Sequence, residues 1–123
     1  MSYEHAIDFT NLDLRTYIFP QTIIGANFTG ADLRGVDLSY RHIHGCIFSG
    51  AFLNDANFTN AIVSNCHFAE NCTKIYSPAA DLTAAVFTRA RIEKSNLQNC
   101  NLTNCKFTET ILINVDFKMG ILN

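Results

Sequence analysis

Phenylalanine recurs along this chain at Phe9, Phe28, Phe48, Phe68, Phe87 and Phe107, in steps of 19, 20, 20, 19 and 20 residues. Between these marks an apolar residue falls on every fifth position. One run is Phe28, Leu33, Leu38, Ile43, Phe48, Leu53, Phe58, Val63 and Phe68. A second is Leu82, Phe87, Ile92, Leu97, Leu102, Phe107, Leu112, Phe117 and Leu122. A period of five fits neither a helical turn of 3.6 residues nor the two-residue alternation of a strand. It marks an internal repeat, whose units bury their apolar residues by stacking on one another.

Each fifth apolar residue is the centre of a unit. Two residues before most centres stands a small side chain: Ala26, Ala31, Ala51, Ala56, Ala61, Ala80, Ala85 and Ala90, with Cys46, Cys66, Cys100, Cys105 and Ser95 in the same slot. One residue before, Asp or Asn is frequent, as at Asn27, Asp32, Asp37, Asn57, Asp81, Asn96, Asn101 and Asp116. Ala26-Asn27-Phe28-Thr29-Gly30 and Ala31-Asp32-Leu33-Arg34-Gly35 display the pattern cleanly. It resembles the pentapeptide-repeat family, and the resemblance covers roughly residues 7–122. The resemblance implies an all-β fold, a right-handed quadrilateral parallel β-helix with four pentapeptides per coil.

The Phe period of 20 supports that expectation separately, because every fourth centre stacks on itself. Centres and small residues point inward, large beside small, and fill a narrow core. The spacing predicts one domain over 1–123 with about six coils, a rod of ~29 Å at ~4.8 Å per coil. All six Phe rings are expected on one wall. Leu14, Leu33, Leu53, Ile92 and Leu112 are expected on the next, then Phe19, Leu38, Phe58, Leu97 and Phe117. Ile43, Val63, Leu82, Leu102 and Leu122 complete the square.

The pattern slips twice. The first slip lies at Pro20-Gln21-Thr22-Ile23-Ile24-Gly25 and the second between Phe68 and Leu82. Each reads as a four-residue side or a bulge-masked deletion. A long inserted loop is disfavoured, because the Phe column stays in step across both. Residues 69–80 are expected to form an irregular side of the fourth coil, and irregular segments on rigid scaffolds often carry function.

Composition limits the alternatives. Of 123 residues, 48 % are hydrophobic and 16 % charged, too apolar for a disordered chain. No run approaches the ~20 apolar residues of a membrane span. Met1-Ser2-Tyr3-Glu4-His5 has no basic start leading into an apolar core, so no secretory signal is visible. Five cysteines without close doublets suggest reduced thiols and a cytoplasmic location. A net charge of −2 favours neither direct nucleic-acid binding nor a membrane surface.

His42 and His44 flank a centre and face solvent, with Ile62 and Ser64 stacked on them in the next coil. A zinc site there lacks its third and fourth ligands. Cys46 and Cys66 stack in one inward slot as buried thiols, since parallel side chains rarely meet disulfide geometry. Cys100 and Cys105 also point inward, and Cys72 alone falls in the irregular segment. Arg41 occupies a small inward slot that cannot hold an unpaired guanidinium. Either the backbone deforms there or Arg41 turns outward beside Tyr40, His42 and His44. Asp32 and Asp37 serve the corners. No nucleophile–base pair, phosphate loop, metal cluster or cofactor signature emerges, so no catalytic, metal or cofactor site is expected.

Two functions compete. The first is a non-enzymatic protein–protein interaction module whose partner is unidentified. Its candidate surface is Tyr40, Arg41, His42, His44, Cys72, Lys74 and Tyr76. Self-association through a coil end is expected, with Phe107, Ile111, Leu112, Ile113, Phe117 and Leu122 as the candidate interface. The alternative is a DNA-mimicking, gyrase-binding protein of the quinolone-resistance type, a function some pentapeptide proteins have. Duplex DNA of ~29 Å carries roughly 17 negative charges. This chain carries a net −2 with arginines interspersed, so the first function is preferred.

Overall fold

The computed structural model describes residues 2–3, 7–69 and 79–118. Six short strands stack in chain order into one parallel sheet: β1 (Ser2–Tyr3), β2 (Thr22–Ile24), β3 (His42–His44), β4 (Ile62–Ser64), β5 (Arg91–Glu93) and β6 (Ile111–Ile113). Parallel single bridges such as Asn27↔Ile47, Phe52↔Asp81 and Asn57↔Val86 join the coils along the other three walls. The chain is a four-walled parallel β-solenoid. Fewer than six complete coils lie within the described residues, so the expected count is slightly too high.

The five-residue unit makes this shape because each unit is one extended step and one corner. At a typical corner the carbonyl of the centre accepts a bond from the N–H three residues on, as Phe28 O does from Ala31 N at 2.9 Å. The third residue of that turn has positive φ, which favours Gly and Asn. Gly30 (67°) and Gly50 (67°) meet the demand with no Cβ, and Asn60 (58°) and Asn104 (60°) tolerate it. The Asp or Asn before the centre braces the same corner from outside. Asn57 Oδ1 accepts from Thr59 N at 3.0 Å and from Thr59 Oγ1 at 2.5 Å.

Inside, the centres form columns. Phe9, Phe28, Phe48 and Phe68 stack nearly parallel, with centroids 5.1, 4.9 and 4.8 Å apart. The column then departs from expectation. Phe68 N donates to Asn96 O, so Leu97 follows Phe68 on that wall. Phe87 stacks on Phe58 at 4.7 Å, and Phe107 on Phe87 at 5.4 Å. The six rings therefore occupy two walls. Leu82 and Leu102 continue the wall of Leu14, Leu33 and Leu53, while Ile92 and Leu112 continue that of Ile23, Ile43 and Val63.

The cause is the second slip. Ile43 pairs with Val63 across a step of 20, but Val63 pairs with Ile92 across 29, nine residues more. The expected deletion is a nine-residue excess. It enters at a corner: Ala80 N donates to Phe68 O at 2.7 Å, the turn bond that residue 71 would otherwise make. Residues 70–78 lie outside the described residues. The first slip is a short side, since Phe19 and Ile23 are both buried centres only four residues apart.

Removing 70–78 leaves Phe68-Ala69-Ala79-Ala80-Asp81-Leu82, a five-residue spacing of centres. Ala79 then takes the positive-φ slot, as Ala84 (62°) does elsewhere, at a cost of about 1–2 kcal/mol. The shorter connection offsets part of that. The deletion variant should keep a cooperative β-type thermal transition within several degrees of the parent. Loss of that transition by circular dichroism contradicts the corner assignment.

Candidate interaction surface

Of the five slots, the centre and the small residue are consumed by packing. Function must come from the outward positions. On the strand-bearing wall these form two columns, Thr22–His42–Ile62–Arg91–Ile111 and Ile24–His44–Ser64–Glu93–Ile113, in register from coil to coil. The rows of β2, β3 and β4 carry no charged side chain. Ile24, His42, His44 and Ile62 are exposed there, Ile62 at 37 %. Ile47 extends the apolar surface past the next corner. His42 and His44 sit over Ile62 and Ser64, and His44 Nδ1 lies 2.8 Å from Ser64 Oγ.

Tyr40 stands at the corner entering this wall. It is 61 % exposed and has φ 61°, the one aromatic residue in that conformation among the described residues. A bulky side chain there is strained, by about 1–2 kcal/mol. Arg41 does not join the histidines. Its Nη1 donates to Ser39 O at 3.1 Å and its Nη2 to Phe19 O of the preceding coil at 3.0 Å. Nε is buried without a hydrogen-bond partner. Neither a deformed inward slot nor an open outward turn describes it: Arg41 is half-buried and ties its coil to the short side at Phe19. Cys72, Lys74 and Tyr76 lie outside the described residues.

The opposite wall, that of Leu14, Leu33 and Leu53, is built differently. Arg15 bonds Asp13 through Nε (2.9 Å) and Nη2 (2.8 Å), and Arg34 bonds Asp32 through Nε (2.8 Å) and Nη2 (2.7 Å). Arg15 Nε also lies 3.4 Å from Asp32 Oδ2, which links the coils. The hydrogen bonds from Arg15 and Arg34 hold Asp13 and Asp32 below the usual carboxylate range. Two shallow grooves of about 360 Å³ flank these pairs, one beside Leu12 and Phe52 and one beside Tyr17, Ile18 and Arg41.

Cys46, Cys66 and Cys100 are buried and free, and Cys105 is half-buried. Burial pushes Cys66 well up, Cys100 to about 12 and Cys105 to about 11. Thiolate chemistry at neutral pH is closed to these three, whereas the hydrogen bond with Cys66 draws the Cys46 thiol down. Among the described residues no three His, Cys, Asp or Glu side chains gather to hold a metal, and no helix is long and apolar enough to cross a membrane.

At the last described coil the inward pattern opens. Leu112, a centre, is 42 % exposed, and Ile111 beside it 51 %. Phe107 and Phe117 are half-buried and meet edge-to-face at 6.3 Å. Leu122 lies outside the described residues. The expected surface missed Ile24 and Ile18, the latter 86 % exposed. Both flank centres of the short side. Placing Ile23 as a centre, four residues after Phe19, would have turned Ile24 outward.

These features define a convex, four-walled repeat solenoid with a sheet face open to solvent. The pentapeptide-repeat model matches eight copies, over residues 22–40, 42–70 and 80–118. The chain belongs to the pentapeptide-repeat family. Among solved structures it is similar to the pentapeptide-repeat protein Rfr23 of the cyanobacterium Cyanothece 51142. That likeness has a TM-score of 0.72 at 19 % identity, covering 96 % of this chain and 86 % of the other. It is also similar to trypsin-treated QnrB1, a plasmid-mediated fluoroquinolone resistance protein, with a TM-score of 0.53 at 17 % identity. There the match covers 94 % of this chain and 55 % of QnrB1. At such identities the likeness concerns the fold. No curated protein matches the sequence.

Replacing Tyr40 by Asn puts into its slot the residue type found at Asn60, one coil on. Little packing is lost, because the ring is mostly exposed. Tyr40→Asn should raise stability by about 1 kcal/mol, read as a higher urea midpoint at unchanged slope. A lower midpoint would mean that the ring packs more than its exposure suggests.

Proposed function

We propose that this protein is a non-enzymatic interaction module that binds a protein partner through the outer face of β2, β3 and β4. One observation carries the reading: three successive rows of that wall hold no charge, whereas the opposite wall is laced with ion pairs. Covering an uncharged face of isoleucine, imidazole and tyrosine costs little desolvation. Aromatic and apolar groups ringed by polar ones are the usual composition of an interface core. The strain kept at Tyr40 fits a residue retained for contact rather than for stability. The partner is an unidentified protein.

The DNA-mimicking alternative is less well supported. A mimic needs carboxylates that project an unbroken negative field. Here Asp13 and Asp32 are neutralised by Arg15 and Arg34 at hydrogen-bond distance. The test is capture from an extract of the source cells with the parent protein and with Ile24→Glu/Ile62→Glu. The surface reading expects a protein retained by the parent, absent from the variant, and an unchanged melting temperature. Equal capture by both would remove this face from consideration.

Self-association is a second part of the proposal, supported by β6. Among the described residues β6 exposes its inward centre Leu112 and pairs with β5 alone, and such an edge is a template for another chain. The occupant we assign is a second copy. Sedimentation equilibrium should find concentration-dependent association in the parent and a monomer in Ile111→Glu/Ile113→Glu. A parent that stays monomeric at millimolar concentration defeats this part and leaves the partner face untouched.

A further inference from the structure

We infer that His42 and His44 form a two-imidazole chelate for a divalent transition-metal ion of the Ni(II), Cu(II) or Zn(II) class. The inference does not rest on the proposed partner, although both would use the face of β3. The two residues are alternate positions of β3, so both side chains leave the same face of the wall. Their Cα atoms are about 6.6 Å apart on an extended strand. Two imidazoles so placed converge on one ion at about 2.0–2.1 Å from each nitrogen. Both are exposed, so neither must leave a core to bind.

Two further features favour the site. Ser64 Oγ lies 2.8 Å from His44 Nδ1. In the tautomer with its proton on Nδ1, His44 donates that bond and Nε2 is left as a free donor atom. A metal-bound histidine is commonly oriented in this way by its second nitrogen. The neighbouring rows carry Thr22, Ile24, Ile62 and Ser64, so no ammonium or guanidinium opposes a cation. Arg41, next in sequence to His42, directs its guanidinium to Ser39 O and Phe19 O instead. Imidazole suits late first-row ions, and no carboxylate in these rows favours Mg(II) or Ca(II). With two protein ligands the ion keeps open positions, which separates this surface site from a closed structural zinc site.

The probe is NiCl2 titrated calorimetrically into the full chain, without a histidine tag, in a non-chelating buffer. Nickel avoids copper-driven oxidation of the thiols. One ion should bind per chain. His42→Gln and His44→Gln should each weaken binding by about tenfold or more, because the second ligand acts at high effective concentration once the first is bound. His67→Gln, on the adjoining wall, should leave the isotherm unchanged. All three side chains point outward, so melting temperatures should hold. The inference fails if either β3 variant binds like the parent, or if His67→Gln weakens binding as much.

Discussion

Every feature of this solenoid depends on the parallel hydrogen-bond ladder between coils. Phe28 N donates to Ile47 O and Ile47 N to Ala26 O, at 2.7 and 3.0 Å, and the same exchange recurs up the walls. The ladder places each slot of one coil above the same slot of the next. Phe therefore meets Phe face to face, and Asp32 comes within reach of Arg15 of the preceding coil. The hydrophobic pattern and the corner geometry select that register, and the ladder repeats it from coil to coil.

This hierarchy explains what the sequence disclosed and what it hid. The inward slots were legible because burial is absolute there. Leu33, Leu53, Phe58, Leu82 and Phe87 have no exposed surface, and Asp, Arg or Lys cannot stand in such places. The corner glycines and asparagines were legible for a similar reason, as few residues accept positive φ. The second slip is hidden because the Phe marks stay 19 residues apart across it, so that identity of residue type imitates identity of wall. The true register was written in Ala80-Asp81-Leu82, where the small–acid–centre signature restarts after an excess of nine residues. A stack is decided by backbone partners, and a phenylalanine fits equally well over Phe58 or Phe68.

The outward slots were harder to read, since solvent accepts nearly any side chain. His42 and His44 were placed correctly because both flank a clear centre. Arg41 was not, because its role belongs to two coils at once. The short side at Phe19–Ile23 lets a residue from the next coil reach back to the Phe19 carbonyl, and no local pattern encodes such a contact. Ile24 escaped notice because that same short side obscured which residue was its centre.

A rod with a dry core and a braced outside leaves few sites where chemistry is free. The thiols of Cys100 and Cys105 are the clearest case. A buried sulfur that ionises only near pH 11 or 12 is a small hydrophobe at neutral pH, whatever its latent reactivity. The acids are committed too: Asp37 and Asp81 bond the corner residues Ser39 and Thr83, and Asp13 and Asp32 bond arginines. Imidazoles on the strand wall are the exception. Their columns contain no carboxylate, ammonium or guanidinium from β2 to β4, and the next row holds Arg91 and Glu93, which bond each other at 3.2 Å. The same neutrality makes this wall inexpensive to cover with a protein surface and leaves its nitrogen lone pairs available to a metal ion. A bound ion would add positive charge to the face a partner covers, so the two uses compete for one surface, and occupancy of either lowers the affinity of the other by linkage.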